Sequence, residues 1–167
     1  IDPNILRGIF AYGFEKASPI QRKAIKPIIA GRDIMAQARS GTGKTATFAI
    51  GALSKIDLKD NSTQVLVLSP TRELTTQTAK VMSSIGSMMD GLRVQTLFGG
   101  SSIDEHSGFL KKTSPHIICG CPGRVYDMMR RGNITTKTIK LVILDEADEM
   151  LSQGFKEQVY NIFQYFD

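Results

Sequence analysis

Cysteine is scarce in this sequence: only Cys119 and Cys121 occur, one residue apart inside an apolar stretch. That spacing builds neither a disulfide framework nor a zinc site, so both thiols are expected to be reduced and packed in or near a core. No apolar run approaches the ~18 residues that a membrane helix requires, and no basic-then-apolar leader opens the chain. A membrane protein and an exported one are thereby set aside, leaving the expectation of a soluble protein of the cytoplasm or nucleus. His106 and His116 lack metal-like spacing and read as surface or strand-edge residues. No internal repeat, low-complexity tract or linker divides the chain.

What is present suffices for one domain with a sizeable core: 167 residues, 41% of them hydrophobic. The chain carries 21 Lys and Arg against 16 Asp and Glu, a net charge of +5. That excess suits a polyanion such as nucleic acid, although many enzymes are as basic. The opening at Ile1 rather than Met suggests a piece of a longer protein.

Short β-branched or apolar runs alternate with longer stretches of helical periodicity, the pattern of an α/β domain with a parallel sheet covered by helices. Strands are expected over Asp33 to Ala38, Gln64 to Ser69, Arg93 to Phe98, His116 to Gly120 and Leu141 to Leu144. Val65 to Leu68 and Leu141 to Leu144 are apolar at every position, as strands buried on both faces should be. Helices are expected over Asn4 to Ala11, Pro19 to Ile29, Gly43 to Ile56, Thr71 to Met89, Ser102 to Lys112 and Pro122 to Arg131. A last helix should run from Glu146 through most of the tail. The turns after Ala38, Ser69, Gly120 and Leu144 then share the carboxyl edge of the sheet, where open α/β folds bind ligands.

Two of those turns carry recognisable chemistry. Ala38-Arg39-Ser40-Gly41-Thr42-Gly43-Lys44-Thr45 follows a strand and opens a helix, the setting of a phosphate-binding loop, with Ala38 in place of the usual first glycine. Gly41 and Gly43 would let consecutive N–H groups turn toward phosphate oxygens at a helix N-terminus. Lys44 would reach the β and γ phosphates of a nucleoside triphosphate, and the Thr45 hydroxyl would ligate Mg²⁺. At the second turn a dry strand ends in Asp145-Glu146-Ala147-Asp148, a density of carboxylate that calls for a cation or donors. Asp145 is placed to hold Mg²⁺, and Glu146 to orient and deprotonate an attacking water. Either residue would also favour the following helix electrostatically, a role compatible with catalysis.

Together these motifs resemble the DEAD-box RNA helicases, and the likeness runs through nearly the whole chain. Gly13-Phe14 with Ile20-Gln21 is similar to the family's adenine-reading Q motif. Pro70-Thr71-Arg72-Glu73-Leu74 resembles motif Ia, Gly99-Gly100 the GG motif, and Pro122-Gly123-Arg124 motif Ib. The run from Asp145 to Leu151 followed by Gly154-Phe155-Lys156-Glu157-Gln158 is most similar to the initiation factor 4A branch, including its exon-junction paralogue. The resemblance implies a RecA-like phosphate-loop domain with helices on both sheet faces. It also implies ATP and Mg²⁺, with Phe14 stacking on adenine, Gln21 binding its edge, Lys16 beside the nucleotide and Asp148 coupling the motifs between domains. Ser18-Pro19-Ile20-Gln21 is at the same time a good helix capping box, which would give Gln21 a local role. Ala17 stands where the family usually has proline, and Cys121 where motif Ib usually has threonine.

Arg72 and Arg124 fall in the first turns of expected helices, where a cation opposes the helix dipole and an external phosphate would resolve the conflict. The resemblance assigns them, with Pro70, Thr71, Gly99, Gly100, Pro122 and Gly123, to the backbone of single-stranded RNA. The bland reading pairs them with Glu73 or Asp127 on the surface. Arg130 and Arg131 are explained by the dipole of their helix end. Family members continue into a Ser-Ala-Thr motif and a second RecA-like domain supplying arginine fingers; neither occurs in this sequence, which is expected to bind adenine nucleotide weakly and hardly hydrolyse it. Duplex unwinding and an ATP-locked RNA clamp both remain open, as does a scaffold partner of the initiation-factor or exon-junction type. A GTPase would need an Asn-Lys-x-Asp pattern and a small-molecule kinase a lid; the sequence has neither.

Overall fold

The computed structural model describes residues 33–36, 49–100 and 102–166. The expected helices Asn4 to Ala11 and Pro19 to Ile29, the Q-motif residues and the loop from Ala38 to Thr45 lie outside the described residues. Five strands form one sheet: β1 (Asp33–Ala36), β2 (Val65–Leu68), β3 (Val94–Leu97), β4 (Ile117–Gly120) and β5 (Leu141–Leu144). Their spatial order is β1-β5-β2-β4-β3, and every pairing is parallel. Each lies within an expected strand. The helices are α1 (Arg72–Ile85), α2 (Ile103–Lys112), α3 (Pro122–Arg130), α4 (Ala147–Ser152) and α5 (Lys156–Gln164), and residues 49–54 are also helical.

Strand periodicity explains the unbroken apolar runs. Leu66, Leu68, Ile118, Val142 and Leu144 point to one face, where they pack with Leu110, Val125, Met128, Ile162 and Phe163 of α2, α3 and α5. The intervening Val65, Val67, Ile117, Cys119, Leu141 and Ile143 meet Ala49, Ala52, Leu53 and, from α1, Ala79 and Met82 on the other face. A strand covered by helices on both sides has no place for polar alternation. Gly120, at the end of β4, is required by proximity: a Cβ there would collide with Val125 and lie 3.0 Å from the Leu97 carbonyl oxygen.

Local signals set the helix ends. Thr71 caps α1 by accepting from the Leu74 N–H at 3.1 Å, and Ser102 caps α2 by accepting from the Glu105 N–H at 3.3 Å. Pro122 opens α3, where its missing N–H costs nothing. The C-terminal segment corrects an expectation, for the single helix from Glu146 is two helices. Gly154 at φ +86° ends α4, its N–H donating to the Leu151 carbonyl while the Phe155 N–H donates to that of Met150. This left-handed glycine cap reverses the chain and seats Phe155 against the core.

Candidate nucleotide and nucleic-acid site at the carboxyl edge

The sheet order decides which turns are neighbours. β1 and β5 pair in register from Asp33↔Leu141 to Ala36↔Leu144. The chain therefore leaves β1 toward the glycine-rich loop about 4.8 Å, one strand spacing, from where it leaves β5 into Asp145. On the other side of β5, β2 runs into Pro70-Thr71-Arg72; β4 then leads to Pro122-Gly123-Arg124, and β3, at the sheet margin, to Gly99-Gly100. Every expected site residue that is described lies along this one edge.

Asp145 is only 1% exposed, its N–H donates to the Leu68 carbonyl at 2.8 Å, and its Oδ2 accepts from the Thr78 hydroxyl of α1 at 3.4 Å. The charge of this carboxylate reaches the buried Cys119 thiol, which is pushed up to about 12, first by burial and then by Asp145. Cys119 is thus an inert core residue, as its sequence context suggested. Glu146 follows at φ 52° and ψ 55°, the single non-glycine residue with positive φ among those described. Holding a glutamate in this left-handed region costs about 1 kcal/mol, and such strain concentrates at functional positions. Asp148 is exposed in the first turn of α4.

The two arginines are held by aromatic rings. Arg72 is exposed and lies over the Phe98 ring, 4.5 Å from its centroid. His106 meets Phe98 edge-on, with centroids 6.2 Å apart, and its Nδ1 lies 2.8 Å from Arg124 Nη1. Guanidinium can only donate, so Nδ1 is the acceptor and the ring proton sits on Nε2. Gly99 and Gly100 are exposed immediately after Phe98, Gly100 at φ +86° beside Arg72. Pro70 and Pro122 are buried at the roots of their turns, and Gly123 is half-buried. A groove of about 740 Å³ joins Gly99 and Gly123 to Arg124 and continues past Arg131 to Asn161.

Two expectations change here. Both histidines are buried, His106 to 5% and His116 to 1% exposure, and burial lowers the pKa of each. Asp127 binds Arg130 at 2.6 Å and Arg131 at 3.1 Å, so those two arginines have a partner beyond the helix dipole. Sequence reasoning missed Phe98, His106, Thr75 and Thr78. A signal existed for His106, which shares the inward face of α2 with Ile103 and Leu110. Cys121, in place of a threonine, turns its sulfur inward to the Thr75 hydroxyl at 3.5 Å and makes no capping bond to α3.

The model of the DEAD/DEAH box helicase family matches residues 18–167. The chain belongs to that family. It is 51% identical over 164 residues to the ATP-dependent RNA helicase eIF4A of Aspergillus niger, and 54% identical over 165 residues to that of Lodderomyces elongisporus. Each alignment takes in 98% of this chain and 41% of the relative, so the chain spans about two fifths of the length of the proteins it resembles. Among solved structures it is similar to S. cerevisiae Dbp5 bound to Nup159, Gle1, IP6 and ADP, with a TM-score of 0.68 and 34% identity. That match covers all of this chain and 44% of the other. The fold of this DEAD/DEAH box chain is accordingly that of a RecA-like domain.

Proposed function

We propose that this chain is the ATP-binding domain of an RNA-stimulated ATPase that remodels RNA in the manner of initiation factor 4A. The reading rests above all on the in-register pairing of β1 with β5, which brings the exit toward Lys44 and Thr45 beside Asp145. In it, Phe14, Lys16 and Gln21 hold the adenine end, Ala38 to Thr45 wrap the phosphates, and Glu146 takes the proton of the attacking water. Among the described residues no three metal-binding side chains cluster, but a buried, hydrogen-bonded carboxylate suits Mg²⁺, which takes one or two carboxylates and completes its shell with phosphate and water. Asp145 and Thr45 would hold it, and it would offset the charge developing on the β and γ phosphates.

The RNA backbone would follow the groove from Gly99 and Gly100 past Gly123, gripped by Arg72 and Arg124 and by the backbone around Pro70, Thr71 and Pro122. Such grip is independent of base sequence. A second RecA-like domain of the same protein would close over the nucleotide and couple through Asp148, and the whole would act in the cytoplasm or nucleus. The names of the relatives favour remodelling over a static clamp.

The test is an ATPase assay of the complete protein with RNA, with DNA and with neither, beside its Glu146→Gln variant. RNA alone should stimulate turnover, and the variant should lose at least a hundredfold. Equal stimulation by DNA would replace an RNA helicase by a general nucleic-acid motor.

A further inference from the structure

Beneath the first two turns of α1 the sheet ends in a layer of small polar side chains. Asp145 donates its N–H to the Leu68 carbonyl and Ser69 its N–H to that of Gly120, so both ladders run one residue beyond the strands. Ser69 therefore stands between Asp145 on one side and Cys121 on the other. Side chains opposite each other on parallel strands share a face, about 4.8 Å apart. α1 covers this face with two hydroxyls: Thr75 meets the Cys121 sulfur at 3.5 Å, and Thr78 donates to Asp145 Oδ2 at 3.4 Å. Ser69 is 0% exposed, yet its Oγ has no hydrogen-bond partner among the described residues. A buried hydroxyl left unpaired is destabilising, and native structures keep few of them. Of its two neighbours the carboxylate is the far better acceptor, with room for about four hydrogen bonds, whereas sulfur accepts weakly.

We propose that Ser69 and Thr78 are positioning residues for Asp145. Thr78 grips one carboxylate oxygen from the helix, and Ser69, by a turn about its Cα–Cβ bond, donates to the same carboxylate from the neighbouring strand when nucleotide is bound. The pair presents the carboxylate to Mg²⁺ in a single orientation. The inference rests on the reading of Asp145 as a Mg²⁺ ligand; it adds donors to Asp145 and displaces none of its other contacts. Donors to a metal-ligating carboxylate fix its direction, and losing one typically weakens metal binding about ten- to hundredfold. Ser69 and Thr78 are at most 2% exposed, so bulk water does not replace either hydroxyl.

The experiment titrates Mg²⁺ into the chain with a fluorescent ATP, read by anisotropy at pH 7.5, and measures the affinity for that nucleotide without metal as the control. The variants are Thr78→Val, Thr78→Ser, Ser69→Ala and Asp145→Ala, with Thr78→Val and Ser69→Ala each repeated in the Asp145→Ala background. Thr78→Val should raise the Mg²⁺ concentration required about tenfold, and Ser69→Ala about threefold, while metal-free affinity holds in both. Thr78→Ser, which keeps the hydroxyl, should stay within about twofold of wild type. In the Asp145→Ala background neither change should have a further effect. An equal loss with and without Mg²⁺, or an unaltered Mg²⁺ requirement in either variant, overturns the proposal. Should Asp145→Ala keep the full Mg²⁺ effect, the reading of Asp145 as a metal ligand fails by itself. The carboxyl ¹³C signal of Asp145 in the ATP-bound chain then decides the role of the hydroxyls: a signal displaced in both Ser69→Ala and Thr78→Val supports positioning, and one unmoved in either contradicts it. Where a variant does not fold, the wild-type chain gives the answer. Correlations from the Ser69 and Thr78 hydroxyl protons to that carboxyl carbon support the proposal, and their absence contradicts it.

Discussion

The two edges of the sheet use polar residues in opposite ways. At the amino edge their partners are mainly backbone. Thr63 donates to the Pro115 carbonyl, Thr138 to that of Thr63, and Arg93 reaches the Ser114 carbonyl through Nε and Nη2. Gln64, completely buried, accepts from the Asp57 N–H at 2.8 Å and donates to the Asp57 and Asp60 carbonyls at 2.9 Å each. His116 accepts from the Arg93 N–H at 3.0 Å. These side chains fasten strand starts to loops and are consumed in doing so. At the carboxyl edge the side chains meet other side chains, a carboxylate is buried, a glutamate is strained and two guanidinium groups lie against rings. One edge is built for stability, and the other carries a cost that the proposed ligand binding would explain.

The comparison is broken most severely at Gln64. Gln64→Ala would leave a hole at a fully buried position and remove its three hydrogen bonds to the Asp57 and Asp60 backbone, and should lower unfolding free energy by about 3 kcal/mol, read from urea denaturation, while the folded fraction binds nucleotide normally. A loss of nucleotide affinity at unchanged stability would erase the distinction between the edges. Next comes pH. His106 and His116 have folded-state pKa values below the ordinary 6.5, so the unfolded chain binds more protons than the native one as pH falls through 6.5. Stability should be level above that pH and decline below it with a slope approaching two protons, one of which His116→Gln removes. A flat profile between pH 7 and 5 would contradict the burial of both rings.

Smaller effects belong to the ligand edge. Arg124→Ala should weaken oligouridylate about tenfold and reduce the salt dependence of binding by about one unit, with a small fall in melting temperature from the lost hydrogen bond to the buried His106 ring. Arg130→Ala, which removes a charge already held by Asp127, should stay within about twofold. Glu146→Gly should raise stability by about 0.5 to 1 kcal/mol through relief of the left-handed backbone, at the expense of turnover. A destabilised Glu146→Gly variant would mean that the strain is offset locally.

The sheet was legible in the sequence because burial on both faces forces apolar residues into every position of β2 and β5, leaving little to confuse with a helix. The motifs in the turns that follow stood out because phosphate and Mg²⁺ chemistry would admit few residue types; Asp145-Glu146 lies directly after β5 as expected, while Lys44-Thr45 lies outside the described residues. What escaped depended on partners distant in sequence. His106 looked like a surface residue since its burial is made acceptable by Arg124, on another helix. Thr78 looked like ordinary helix content, although it faces Asp145 across α1. The break at Gly154 was hidden by apolar spacing that continues through Phe155 into α5, so that periodicity alone joins two helices that a single backbone conformation separates.

The most direct measurement of the central claim, that the loop after β1 and the acid after β5 serve one nucleotide, is a fluorescent-ATP titration of the chain with and without Mg²⁺, compared across wild type, Lys44→Ala and Asp145→Asn. Mg²⁺ should tighten binding to wild type, Asp145→Asn should lose that gain while keeping its metal-free affinity, and Lys44→Ala should weaken binding in both conditions. Unaltered binding by both variants, or a full Mg²⁺ effect in Asp145→Asn, would contradict the account.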